Sequence, residues 1–486
     1  MNKSLTAFLV ILVLFSTAIA RRLWEPTDVQ PIYSLRSATA LEITDRYFYI
    51  ALSNGILRFY RFEDNIDFTE FVSFPVPGEI LRIQELSDSI FVRTTEGIFA
   101  RREMDILDIP FVPIDSTRRL PPALDLCNPY NFGISLPYSF FWETKDTIIG
   151  PDMTRYFVTD CVSDGSYYIY FATDGLGVFR ADRRIKIAEP LFYGPCCDDI
   201  NAIYAIGDTL LFGGCSDIVY CAFSIYDTNN SLYKWIPGEY SVAFPDFGPI
   251  LDFALHGEDL YIATPFGLGL YDLAKNIWRR PTGRGSVPIS NANAIIIHND
   301  TLYVASNDGI YSMDLNNRIL ARRTDAGVSN IVDIAYAINN IIAVGDYGAY
   351  SKEDTTFAPL RPPDGHLDNF VYSVTAGPKS EAVFATRHGI VILHESGKRE
   401  FYSTGIYFEG ARINDIAVSH KYLWVATDTG LFVFDRIYRK STKLDEELFF
   451  PETPVYKLLI HEDYLWFATD IGLYRFFWNE TGRIYR

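Results

Sequence analysis

Three features predict an all-β chain folded as a β-propeller of about ten four-stranded blades. A glycine recurs about every 41 residues, the composition favours strands, and the same turn chemistry surrounds each glycine. Aromatic residues are 15% and hydrophobic residues 48% of the 486, which excludes a disordered chain. Tyr, Phe, Val and Ile supply most of that hydrophobicity, and they suit pleated strands better than helices.

Strand-turn-strand pieces begin at Tyr49, Phe91, Tyr170, Leu211, Tyr261, Tyr303, Ile342, Val383, Trp424 and Trp466. The shared glycine stands at Gly55, Gly97, Gly177, Gly267, Gly309, Gly348, Gly389, Gly430 and Gly472. From Gly267 onward the steps are 42, 39, 41, 41 and 42 residues.

Arg412 to Leu444 illustrates one repeat. Ile413 to Val418 is a first strand, and Leu423 to Thr427, almost continuously apolar, is a second strand covered on both faces. Asp428-Thr429-Gly430 turns the chain, because glycine reaches positive φ without a Cβ clash and Asp bonds its own backbone. Leu431 to Phe434 is the third strand and Tyr438 to Leu444 a polar fourth. The small Ala-Thr pairs ending the second strands suit close blade packing. A lone blade cannot bury both faces, so blades must stack, as a single large ring or as two propellers.

Residues 1–20 read as a signal peptide. Lys3 supplies the charge, Ala7 to Phe15 the apolar run, and Ala18-Ile19-Ala20 the cleavage site. Periplasmic or secreted localisation follows as an expectation. Residues 21–102 are assigned to N-terminal blades and 155–486 to eight C-terminal blades. The 80-residue step from Gly97 to Gly177 leaves 103–154 as a degenerate blade or insertion. The segment around Val29 to Leu35 is expected to pair with the C-terminal blade and close a ring.

Cys127, Cys161, Cys196, Cys197, Cys215 and Cys221 share one window that contains no histidine and no CxxC, which argues for one or two disulfides rather than zinc. A formal charge of −18 repels nucleic acid and anionic lipid. His256, His298, His420 and His461 recur 10 or 11 residues before their glycines, a register that points to turns rather than catalysis. The turns after the second strands carry Asp174, Asp308, Asp346, Asp428 and Asp470, with the cationic pair Arg387-His388 in the same place. In a propeller these tips share one rim, so the seven residues are the candidate ligand contacts. No motif for a hydrolase nucleophile, zinc protease, phosphate loop, haem or calcium loop is present, and no cofactor or metal is expected.

Leu423 to Asp435 (LWVATDTGLFVFD) and Leu465 to Phe476 (LWFATDIGLYRF) resemble the two-component-regulator propeller repeat. The match is fair at Tyr261 and Tyr303 and poor at Phe91 and Leu211. That resemblance implies an exported propeller of the kind that forms the sensory part of a membrane histidine kinase. With no later membrane span, kinase or DNA-binding segment in the sequence, a free-standing relative is expected. The expected function is a binding module for a protein, peptide or glycan. The alternatives are a glycan hydrolase or lyase on a propeller scaffold and a structural envelope component.

Overall fold

The computed structural model describes residues 24–479 except 25–27, 53–54, 63–64, 75, 104–110, 115–126, 138, 152, 215–220, 239–247, 325–327, 361–364, 368, 445–452 and 471. The signal-peptide reading of residues 1–20 lies outside the described residues. Strands form ten antiparallel sheets, nine of four strands and one of six.

The recurring turn explains why each blade forms. In several blades a threonine ends the second strand and donates its hydroxyl to the carbonyl of the turn glycine: Thr427 to Gly430 at 2.7 Å, Thr469 to Gly472 at 2.9 Å and Thr386 to Gly389 at 2.9 Å; Gly213, Ser306 and Gly345 stand at the strand end in others. The Ala-Thr pair therefore clips the hairpin as well as sparing space. At Gly389 a Cβ would come within 2.1 Å of the Tyr402 carbonyl oxygen, so only glycine fits there. The second strands are the deepest elements: all six residues of Tyr422–Thr427 and of Glu381–Thr386 are buried. Each is sandwiched between neighbouring blades, which is why their sequence is nearly continuous in apolar residues.

Seven sheets close into a ring. Blades 1 to 7 span 202–236, 252–278, 294–322, 331–359, 371–403, 413–443 and 455–477. The first strand of each blade lies against the first strand of the next, and that of blade 7 lies against that of blade 1. Blade 7 draws its fourth strand from the other end of the chain, as expected: Val29–Ile32 pairs antiparallel with Gly472–Phe477, Ile32 facing Leu473. Trp24 continues this closure, its indole nitrogen donating to the Trp478 carbonyl and its ring packing against Trp424 and Phe476.

The remaining three sheets form a separate stack. The first stack sheet spans 40–74, the second 80–114, and the third, six-stranded, 141–190. Their spatial order is third, first, second, because Ala40–Ile43 lies against both Arg155–Ser163 and Ile80–Leu86. Within the segment 103–154, Val112–Ile114 is the outer strand of the second sheet, and Phe141–Thr144 with Thr147–Ile149 is a hairpin added to the third.

Two linkers cross where stack meets ring. Arg36 donates from Nε to the Gly175 carbonyl at 2.7 Å, and Trp235 of blade 1 donates to the Gly194 carbonyl at 2.9 Å. Disulfides join Cys127 to Cys161 and Cys196 to Cys221, and Cys197 is disulfide-bonded as well, so the bridges exceed the one or two expected. No helix among the described residues is long and apolar enough to cross a membrane.

Candidate functional site at the near rim of the ring

In every blade the first strand starts, and the second strand ends, on the same side of the ring, here the near rim. Blade 3 places Asp308 there, blade 4 Asp346, blade 5 Arg387 and His388, blade 6 Asp428 and blade 7 Asp470. Asp174 occupies the equivalent turn of the third stack sheet and so stands outside the ring.

Most of the carboxylates are engaged locally. Asp308 accepts from Ser306 at 2.5 Å and from the Tyr311 hydroxyl at 2.8 Å. Asp346 accepts from the Asn330 side chain at 3.0 Å, Asp428 from the Arg412 amide at 3.0 Å, and Asp470 from the Thr453 hydroxyl. The bonds of Asp346, Asp428 and Asp470 tie those tips to the loops entering their own blades, and those of Asp308 stay within its own hairpin, the turn chemistry expected of Asp. Arg387 and His388 point outward and are exposed.

The in-register histidines lie at the opposite rim. His256 sits 3.1 Å from Asp300 of the next blade, and the His298 ring stacks on Tyr336 with centroids 4.0 Å apart. They fasten neighbouring blades. Among the described residues no group of three His, Cys, Asp or Glu side chains is disposed to hold a metal ion.

The channel carries charge that the turns did not reveal. At one position of the first strands the seven blades present Ala202, Asp252, Ala294, Asp333, Ser373, Asp415 and Lys457; in blades 2 to 7 it faces the penultimate residue of the second strand, and in blade 1 the last, Gly213. Even blades carry Asp, odd blades a small residue, and blade 7 the lysine. Each Asp reaches across to the next blade: Asp252 accepts from the Ile295 amide, Asp333 from Val374 and Asp415 from Leu458, at 2.8, 2.8 and 3.0 Å. The other oxygen of each accepts the amide of the following residue. The Ser373 hydroxyl lies between Asp333 and Asp415, 2.8 and 3.0 Å away, with one proton to donate to either, and Lys457 lies 3.6 Å from Asp415. Burial pushes the Asp252 carboxyl up to about 6 and raises Asp333 as well. Asp415, then Asp333 and Asp252, hold Lys457 protonated above the usual lysine range, although it lies deep in the channel. Its side chain keeps 31% exposure because the channel itself is open.

Sequence reading missed these aspartates. Asp252, Asp333 and Asp415 each stand 15 residues before a turn glycine, a register that the search for histidines and turn acids passed over.

Where blade 7 meets blade 1, the near rim opens into a cavity of about 630 Å³ lined by Arg36, Asp198, Asn201, Tyr456, Thr469 and Asp470, among others. Of the sequence-predicted contacts, only Asp470 lines it. Burial, with Asp199 adding, pushes the Asp198 carboxyl up to about 6, opposed by Arg36, the Ser34 amide and the Ser37 hydroxyl. Four large aromatic side chains are also left open at this rim: Phe266, Tyr347, Phe370 and Tyr456 are 41% to 58% exposed.

No family model and no curated protein matches the chain. Solved structures do. The extracellular domain of the putative hybrid two-component system BT4673 from B. thetaiotaomicron is similar at 13% identity and a TM-score of 0.50, covering 91% of this chain and 76% of that one. PorZ, described as an essential bacterial surface component of the type-IX secretion system of Porphyromonas gingivalis, is similar at 13% identity and a TM-score of 0.50, covering 90% and 68%. At such identities the likeness is one of fold.

Proposed function

We propose that the chain is an exported binding module whose ring receives a protein partner on its near rim. The observation that carries this reading is the character of that rim. It offers an open cavity and four exposed aromatic side chains, while the turn carboxylates Asp308, Asp346, Asp428 and Asp470 are occupied in local hydrogen bonds. Aromatic residues left open around a concave patch are the usual anchors of an interface. A hydrolase would need free carboxylates converging across a substrate cleft.

The disulfides favour an oxidising compartment. The two structural neighbours are an extracellular domain and a bacterial surface component. Together with the resemblance of the last two blades to the two-component-regulator propeller repeat, this supports a periplasmic or secreted setting.

The test places a photo-crosslinking amino acid at Tyr347 or Tyr456 on the near rim and, as control, at Tyr438, which is exposed on a far-rim turn. In an envelope extract the near-rim probes should capture one discrete partner that Tyr438 does not. Equal capture at all three positions overturns the reading, as does cleavage of a glycan by the purified chain.

A further inference from the structure

We infer that the corner of the near rim formed by blades 5 and 6 docks an acidic peptide segment of the partner, its carboxylates taken by Arg387 and Arg412. The inference rests on the binding reading above and adds the chemistry of the partner.

Phe370 and Tyr372 flank the entry into blade 5. Their Cα atoms can be no more than about 7.6 Å apart, since consecutive Cα atoms are about 3.8 Å apart. The Arg387 guanidinium lies over the Phe370 ring at 5.5 Å, and Arg412, entering blade 6, lies over the Tyr372 ring at 5.4 Å. Two guanidinium groups from neighbouring blades are thus seated on aromatic rings at one corner. The Phe370 backbone is fixed on both sides, donating to the Asp346 carbonyl at 2.9 Å and accepting from the Arg387 amide at 3.1 Å. Both arginines are exposed, and neither is paired with a carboxylate among the described residues. The nearby Asp428 and Asp346 spend an oxygen each on the Arg412 amide and on Asn330. His388, also exposed, extends the corner toward blade 5's outer strand, its carbonyl accepting from the Thr404 amide at 2.9 Å.

A guanidinium seated over a ring has less motion to lose when its donors meet a carboxylate. On a chain of net charge −18 such a corner is a local exception, so an anionic group would be drawn to this part of the rim rather than to the surface at large. The choice of peptide over acidic polysaccharide follows from the same stacking. An arginine already occupies one face of Phe370 and one face of Tyr372, whereas the guanidinium edges suit Asp, Glu or a terminal carboxylate.

The experiment is fluorescence anisotropy of the full chain with a fluorescein-labelled alternating Glu-Ala decapeptide, its Gln-Ala isostere as comparison, and an oligogalacturonate as competitor. The acidic peptide should bind and the isostere bind at least about tenfold more weakly. Arg387→Ala and Arg412→Ala should each weaken the acidic peptide about five- to tenfold. Lysine at either position should recover only part, because it keeps the charge and loses the stacked fork. Both arginines are exposed, so unchanged thermal melting of the variants verifies that they fold. Equal binding of the two peptides, or variants that bind as the parent does, overturns the inference. Tighter binding of the oligogalacturonate through the same arginines replaces the peptide by a polysaccharide and overturns it too. If crosslinks at Tyr347 and Tyr456 persist while the acidic peptide fails, this inference alone falls and the binding reading stands.

Discussion

The ring and the stack are built from the same repeat and end up differently connected. In the ring, blades follow one another in chain order and the last meets the first. In the stack, the third sheet lies beside the first, out of chain order, and among the described residues its first strands are joined third to first and first to second. Yet the joint between those two sheets uses the ring's device: Asp160 accepts the Leu41 amide of the neighbouring sheet at 2.8 Å and the Cys161 amide at 2.8 Å, as Asp415 does with Leu458 and Ile416. A blade sequence therefore specifies how to grip a neighbour without specifying which neighbour, or how many.

The comparison can be broken most severely at the closing strand. Deleting residues 28–32 exposes the Gly472–Phe477 edge and should destabilise the ring more than any point substitution, read as the largest drop in thermal midpoint. An unchanged midpoint would refute closure by this strand. Next comes Asp415→Ala, which strands two amides and the buried side of Lys457 and should remove about 3–5 kcal/mol. Asp160→Ala strands amides alone and should remove about 1–3 kcal/mol. Denaturant titration of both variants tests the ranking, and equal losses would mean that Lys457 adds nothing to the ring's clasp.

Replacing Cys196 and Cys221 by serine releases the linker between stack and ring, which should lower stability by about 2–4 kcal/mol. A midpoint shared with the parent would show that Trp235, the surrounding core and the disulfide of Cys197 hold the joint without this bridge.

The smallest effect is on pH dependence. Asp252 is raised to about 6 in the ring and Glu42 to about 7 in the stack, the latter by burial with Glu85 and Asp160 adding. A carboxyl raised on folding contributes stability below its unfolded pKa near 4 and loses that contribution as pH rises through its folded value. The parent should therefore lose about 1–3 kcal/mol between pH 4 and 7 from each of these groups. Asp252→Asn should flatten the part of the curve between about 4 and 6, and Glu42→Gln the part reaching about 7. A parent curve that rises with pH throughout this window would contradict both assignments.

The blades were legible because the turn glycine and its Thr leave a periodic mark that no side-chain packing obscures. The closing strand was legible because Val29 to Ile32 is an extended apolar-polar segment with no other repeat to join. The rim was half legible: Arg387 stood out against acidic sisters, but Arg412, Phe370 and Tyr372 belong to loops and strand starts that meet only because the first strands of blades 5 and 6 lie side by side. The channel aspartates were illegible by composition, since equivalent positions hold Ala, Ser and Lys. Their alternation becomes visible only when the blades are set in a circle and each Asp finds a neighbour's amide.

The strand 29–32 that completes blade 7 also sets a clock on synthesis. It is made first and its partner, Gly472–Phe477, more than 400 residues later. At about 5–20 residues per second it waits on the order of 20–90 s with both edges unpaired. During that interval the stack can assemble while the ring stays open, so a newborn chain passes through a stage in which an incomplete sheet edge is available to any extended segment nearby. A second chain at the same stage offers one of identical sequence, which makes exchange of the closing strand between chains the characteristic error of this architecture.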